Sequence, residues 1–98
     1  MKTANEITPT NIFHPGITLG EEIEYRQLSK KEVAEKMNIS PTILSEIISG
    51  KRNITTITAI KIETALGINA LFFLNMQMRF EYYTLKKQHS KSNLKKAA

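Results

Sequence analysis

The stretch from Ser29 to Gly50 constrains the fold most, because its residues specify where two short helices begin and end. Ser29 and Glu32 have the spacing of a capping box, which starts a helix at Lys30. Asn38 follows, and asparagine tolerates the left-handed conformation that ends a helix. The apolar residues of this helix fall on one side: Val33, Ala34 and Met37. We therefore predict a short amphipathic helix followed at once by a tight turn.

A second helix is predicted directly after this turn. Ser40 caps its free N–H groups, Pro41 fits its first turn, and Gly50 ends it. Its inner face is apolar: Leu44, Ile47 and Ile48. Its outer face carries small polar side chains: Thr42, Ser45, Glu46 and Ser49. Such a face can approach the floor of a DNA major groove closely, as a recognition helix does. The alternative is an ordinary helical hairpin in a small bundle.

Three further helices are predicted around this unit. The first runs from about Ile17 to Gln27, after a turn formed by His14-Pro15-Gly16. The fourth is capped by Thr55, runs from Thr56 to Leu66 and points four apolar residues inward: Ala59, Ile60, Ile62 and Leu66. The fifth is capped by Asn69 and spans 70–87. The sequence thus predicts an all-α, five-helix domain over 14–88, with a flexible arm at 1–13 and a disordered basic tail at 89–98.

The predicted fifth helix is unusually rich in large apolar side chains. One stripe follows helical spacing, and Phe73 begins a second apolar flank beside it: Phe72, Met76, Phe80 and Tyr83 form the stripe. A domain of this size can hardly bury both flanks. We expect these five residues to form a homodimer interface or a partner surface, where aromatic residues and methionine are typical anchors. The alternative is that the whole helix is intramolecular core.

Composition and charge limit the classes of function. The 98 residues suffice for one core, and no apolar run approaches the length of a membrane span. With no cysteine and no aspartate, two separate histidines and no glycine-rich phosphate loop, we predict neither an enzyme nor a bound metal or cofactor. The net charge is +5, and the last five lysines follow residue 85 with no acidic residue among them. This excess is compatible with nucleic acid as a partner.

The outward residues of the central unit and the loop after it are the candidate DNA contacts. Thr42 and Ser45 are best placed to touch base edges, with Ser40 nearby, and Glu46 could accept from cytosine or orient a neighbouring lysine. Five more residues are candidate phosphate contacts: Lys30, Lys31, Lys51, Arg52 and Asn53. For the loop 51–53, the alternative is a solvated loop with two incidental charges.

These residues also carry a resemblance to a known family. The capped helix with a small Ala34, the turn and the Ser/Thr-capped second helix resemble helix-turn-helix proteins of the phage-repressor (XRE) type. Three separated segments resemble the HigA/VapI group of antitoxins in the right order: HPG at 14–16, SEIISGKRNIT at 45–55 and FFLNMQMRFEYY at 72–83. Four positions depart from that group's usual residues: Thr56, Ile57, Leu71 and Phe73.

The resemblance implies a phage-repressor-like fold with an extended C-terminal helix. It also implies a cytoplasmic antitoxin that neutralises a RelE-like mRNA-cleaving toxin and binds operator DNA as a dimer to repress its own operon. Two alternatives stay open. One is a stand-alone repressor without a toxin. The other is a helical interaction module without DNA binding, which Pro41 and Ile43 favour because neither side chain donates a hydrogen bond.

Overall fold

The computed structural model describes the backbone of residues 12–97 and the side chains of residues 12–90. This part of the chain contains five helices and no strand, as predicted. The helices are α1 (Pro15–Tyr25), α2 (Lys30–Met37), α3 (Pro41–Ile48), α4 (Thr56–Leu66) and α5 (Ala70–Ala97). Of the predicted N-terminal arm, only Ile12 and Phe13 lie among the described residues.

Helix α1 begins two residues earlier than predicted, because His14 caps it. The His14 imidazole Nδ1 accepts the backbone N–H of Gly16 at 2.9 Å, and Pro15 occupies the first turn, where no N–H is needed. The helix ends before Gln27, whose φ of 57° is left-handed. Gly16 lies against α3 so closely that an added Cβ would overlap the carbonyl oxygen of Ile47. The start of α1 is therefore in close contact with the end of α3.

One core joins the five helices. Helix α2 packs on α3 and α4, α1 packs on α3, and α5 packs on α4 and α1. The buried apolar residues are Leu19, Ile23, Val33, Ala34, Met37, Leu44, Ile47, Ile54, Ala59, Ile62, Leu66, Ala70 and Phe73. The prediction that Ile60 points inward was wrong, since its side chain is 47% exposed. Ala59, Ile62 and Leu66 form the inward face of α4, and Ile60 lies beside that face.

Phe73 is the largest fully buried side chain, so its assignment to a partner surface was wrong. It lies between Ala70 and Gln77 on the face of α5 that packs on the domain. Residues three and four apart share a helix face, so this face follows 70, 73 and 77. The neighbouring Phe72 is 48% exposed.

Helix α5 is longer than predicted. It was expected to end near Lys87, but its backbone is helical to Ala97, including nine residues of the segment expected to be a disordered tail. After Gly67 the chain contains no glycine or proline, and residues 86–98 include five lysines, two alanines and one leucine. These residues favour helix, and nothing in the segment interrupts one.

Candidate nucleic-acid interface

The turn between α2 and α3 has the predicted geometry. Ser29 Oγ accepts the backbone N–H of Glu32 at 3.1 Å, which begins α2. The Glu32 carboxylate accepts the Ser29 hydroxyl at 3.1 Å, instead of the backbone N–H expected in a complete capping box. Asn38 is left-handed, with φ 56° and ψ 45°, and the next N–H donates to Ala34 O at 3.0 Å. These local bonds set the direction in which α3 leaves α2.

Helix α3 starts at the predicted cap and buries two of its three predicted inner residues, while Ile48 is half-buried against the core. Ser40 Oγ accepts the N–H of Ile43 at 3.1 Å, and Pro41 is the first helical residue. Leu44 and Ile47 are completely buried. Ile43 is half-buried and packs against the core.

The outward face of α3 is small and polar. Ser40, Thr42 and Ser45 are exposed, and Glu46 is half-buried. Ser49 donates its hydroxyl hydrogen to the carbonyl oxygen of Glu46 at 3.1 Å, so it is already partnered within its own helix. Thr42 and Ser45 are therefore the two hydroxyls of the helix interior that face outward and whose side chains make no hydrogen bond within the described part of the chain.

The loop after α3 is folded back onto the end of that helix. The carbonyl oxygen of Glu46 accepts the backbone N–H groups of Lys51 and Arg52 at 2.9 and 3.2 Å. The Arg52 guanidinium binds Glu46 Oε2 through Nη2 at 2.8 Å and Nε at 3.0 Å. The Arg52 side chain is 50% exposed and that of Glu46 36%, so solvent screens this pair, which adds little to stability but orients the guanidinium. Glu46, predicted to contact cytosine or orient a lysine, contacts an arginine instead.

Two buried or nearly buried side chains attach the same loop to the rest of the domain. His14, 6% exposed, places its Nε2 at 3.3 Å from Asn53 Oδ1. Gln77 of α5, 5% exposed, accepts the N–H of Ile54 through Oε1 at 2.8 Å and donates from Nε2 to Glu81 at 2.9 Å. Sequence reasoning missed Gln77 as a residue that holds the loop after α3. The signal in the sequence was its spacing: Gln77 follows Phe73 by four residues, so the two side chains share a helix face. The structure shows that this face is buried.

The candidate contacts do not all lie together. Thr42, Ser45 and the loop 51–53 belong to one continuous segment around α3, whereas Lys30 and Lys31 are exposed at the start of α2. Neither lysine makes an ion pair with residues 12–90. They are therefore available to an anionic partner on the helix that precedes α3.

Helix α5 presents a second exposed surface, and it differs from the predicted one. Four large apolar side chains of α5 are more than half exposed on one face, which we call the α5 stripe: Leu71, Met78, Tyr82 and Leu85. Met76, Phe80 and Tyr83 instead line a groove of about 220 Å³ with Ile12, Phe13, Thr18 and Arg79. All three are half-buried. The predicted stripe thus faces the N-terminal segment, and Phe72 alone remains near the exposed face.

Within the described part of the chain, no helix has the length and hydropathy needed to cross a membrane. Residues 12–90 also contain no group of three or more His, Cys, Asp or Glu side chains suited to a metal ion. What they do contain is a capped helix, a left-handed turn and a second helix with an outward polar face beside a basic loop. These features define a helix-turn-helix protein.

Comparison with known proteins agrees with this class. A family model described as helix-turn-helix matches residues 23–73. Virulence-associated protein I of Dichelobacter nodosus is 34% identical over 70 residues, which are 70% of this chain and 65% of that protein. The helix-turn-helix-type transcriptional regulator YddM of Escherichia coli K12 is 28% identical over 96 residues, covering 98% of this chain and 96% of that protein. The chain belongs to the helix-turn-helix family.

Solved structures of antitoxins share the fold. An addiction module antidote protein of the HigA family from Coxiella burnetii has a TM-score of 0.78 and 28% identity, covering 88% of this chain and 95% of that one. The Pseudomonas aeruginosa antitoxin HigA, solved with the higBA promoter, has a TM-score of 0.77 and 23% identity, covering 84% and 90%. The chain is thus similar to virulence-associated protein I and to HigA-type antitoxins, as its three signature segments predicted.

Proposed function

We propose that this protein binds operator DNA as a homodimer through the outward face of α3 and represses the operon that encodes it. The observation that carries the proposal is the outward pair Thr42 and Ser45 beside a loop of cationic and amide side chains that is bonded to α3, His14 and α5. A helix with small side chains enters the major groove closely, and a loop held in place positions phosphate contacts.

The roles of the residues follow from their chemistry. The hydroxyls of Thr42 and Ser45 donate to or accept from base edges, and the threonine methyl packs on thymine methyl groups. The Ser40 hydroxyl oxygen accepts the N–H of Ile43 as the cap of α3, and this bond holds the side chain near Thr42 and Ser45. Lys30, Lys31 and Lys51 neutralise phosphates as point charges, and Arg52 does so from the orientation that Glu46 gives it.

We further propose that the protein is the antitoxin of a type II toxin–antitoxin pair and neutralises a RelE-like mRNA-cleaving toxin in the cytoplasm. The similarity to virulence-associated protein I and to a HigA-family antidote protein supports this proposal. The similarity to the transcriptional regulator YddM supports the alternative, a stand-alone repressor without a toxin. The two differ in whether a neighbouring gene product binds this protein.

The α5 stripe is the surface that we propose for homodimerisation, in place of the stripe through Met76, Phe80 and Tyr83. Its members and the intervening Asn75 follow one another at intervals of four, three, four and three residues. This alternation keeps side chains on one side of a helix that packs lengthwise on another helix. In a two-fold dimer, a second copy supplies an apolar face of the same length. The α5 stripe is then buried on both copies.

The proposed function is tested by a nuclease footprint of the full chain on the DNA upstream of its own gene, repeated over a salt series. We expect two protected half-sites about one helical turn apart, lost steeply as salt rises. A protein that protects no DNA at low salt is an interaction module, and the proposal is then wrong.

The dimer and the toxin are tested separately. Light scattering should show a dimer at micromolar concentration, and Met78→Glu should convert it to a monomer. Tyr25→Glu, at an 86% exposed position on α1, is the matched control and should leave the dimer intact. Co-expression with a neighbouring open reading frame should yield a complex that suppresses mRNA cleavage. A footprint without such a complex identifies the stand-alone repressor.

A further inference from the structure

His14 lies where three parts of the proposed DNA site meet. Its Nδ1 accepts the N–H of Gly16 at 2.9 Å, its Nε2 faces Asn53 Oδ1 at 3.3 Å, and its ring packs edge-on against Phe80 of α5 with centroids 5.0 Å apart. Gly50, at the end of α3, lies against the same ring. One buried imidazole therefore contacts the start of α1, the loop after α3, and α5.

These contacts determine which nitrogen carries the proton. A backbone N–H can only donate, so Nδ1 must be the unprotonated acceptor and the single proton of the neutral ring resides on Nε2. Nε2–H then donates to Asn53, and the atom that receives it must be the amide oxygen, because the amide nitrogen would oppose one donor with another. The tautomer of His14 thus fixes the orientation of the Asn53 amide.

We infer that His14 is a positioning residue for DNA binding, which turns the amide nitrogen of Asn53 away from the domain and toward a phosphate. Asn53 is exposed, and it follows the cationic pair Lys51 and Arg52 directly. With its oxygen engaged by His14, its two N–H donors are the part left for a partner. An unrestrained amide is free to present its oxygen instead, and that acceptor repels a phosphate.

This inference rests on the proposed DNA binding and adds a mechanism to it. It predicts that the histidine acts on DNA through Asn53 alone. A merely structural histidine would instead affect DNA binding through the stability of α1, whatever residue occupies position 53. The two roles are therefore separable by a double-mutant cycle.

The cycle combines His14→Asn with Asn53→Ala and measures affinity for operator DNA. Asparagine retains the helix cap but cannot reach position 53, and Asn53 is exposed, so its replacement leaves the fold intact. Asn53→Ala should weaken binding about tenfold or more, because it removes a hydrogen bond to a charged phosphate, and His14→Asn should weaken it by no more than that. The double variant should bind as the Asn53→Ala protein does. Losses that multiply would overturn the inference.

Asn53→Asp distinguishes the role of the amide nitrogen from the contact with His14, because it removes that nitrogen and keeps an acceptor. Aspartate still accepts from Nε2–H, so the melting temperature should stay unchanged, while affinity should fall further than in Asn53→Ala because a carboxylate faces phosphate. Asn69→Asp is the control for the same change of charge, and it retains the acceptor that caps α5. Equal losses in these two aspartate variants would refute a specific role for position 53.

The tautomer is measured on the unmodified protein by imidazole ¹⁵N chemical shifts. We expect a protonated Nε2 and an unprotonated Nδ1 for His14. The opposite tautomer overturns the inference while leaving DNA binding in place. Failure of the unmodified protein to bind operator DNA refutes the proposed function, and the positioning role with it.

Discussion

Replacing Gln77 by leucine tests how firmly the loop after α3 is attached to α5. The glutamine is buried, and its Oε1 accepts the N–H of Ile54 at 2.8 Å. Ile54 itself is 2% exposed, so water cannot readily replace the lost acceptor. Leucine has a similar volume and keeps the packing beside Phe73. The substitution therefore removes two hydrogen bonds, one from Ile54 and one to Glu81. Glu81 is exposed to water, so only the buried N–H of Ile54 is left without a partner.

The expected loss follows from that single unsatisfied group. A buried donor without an acceptor costs about 1–3 kcal/mol, and the better fit of leucine to an apolar site offsets a small part of it. For a domain of this size, each kcal/mol lowers the melting temperature by about 4–8 °C. We expect a destabilisation of about 2 kcal/mol, measured by chemical denaturation with the slope m unchanged.

Amide hydrogen exchange localises the effect. The N–H of Ile54 should lose protection in Gln77→Leu, whereas amides in the middle of α2 should change only by the global loss of stability. Gln77→Glu is the matched control, because it retains the acceptor for Ile54 but places a carboxylate beside Glu81, to which Gln77 now donates. A leucine variant as stable as the original protein, with Ile54 still protected, would refute the assignment of this bond as a structural tether.

Four further outcomes are expected. Gly16→Ala should destabilise the fold by about 3 kcal/mol or more in thermal unfolding, because the new Cβ overlaps the carbonyl oxygen of Ile47 and α1 must move off α3; a loss under about 1 kcal/mol would contradict this. Thr42→Ala should reduce the free energy of binding to operator DNA by on the order of 1 kcal/mol. An equal loss on random DNA, measured by binding titration, would exclude a base contact. Arg52→Ala should weaken binding to all sequences and reduce the salt slope by about one unit, which an unchanged slope would contradict. Met78→Glu should give a monomer in light scattering, and a persistent dimer would place the interface elsewhere.

The predictions that the structure confirms depend on residues close together in the chain. The two helices from Lys30 to Ile48 begin and end where their caps place them, because Ser29, Asn38 and Ser40 satisfy backbone groups only a few residues away. The fourth helix likewise begins after Thr55 and ends before Gly67. Capping is a local interaction, so a single sequence contains the information for it.

Apart from the start of α1 and the end of α5, the errors concern the choice between neighbouring helix faces. Phe72 and Phe73 are adjacent and equally apolar, and periodicity does not reveal which of them is buried. The buried face of α5 also contains Ala70 and Gln77, a small and a polar residue, so it does not look like a core face in the sequence. The exposed α5 stripe, by contrast, is apolar and was not singled out.

By itself, then, the sequence determined the number of helices, the boundaries of the three central ones and the tight turn between α2 and α3, because caps and turns are short-range. The tertiary structure decided which side of α5 is buried and how the loop 51–54 is held. His14 and Asn53 are 39 residues apart, and Gln77 and Ile54 are 23 residues apart. Such bonds exist only after the core has placed α1 and α5 beside the loop, so no local pattern encodes them.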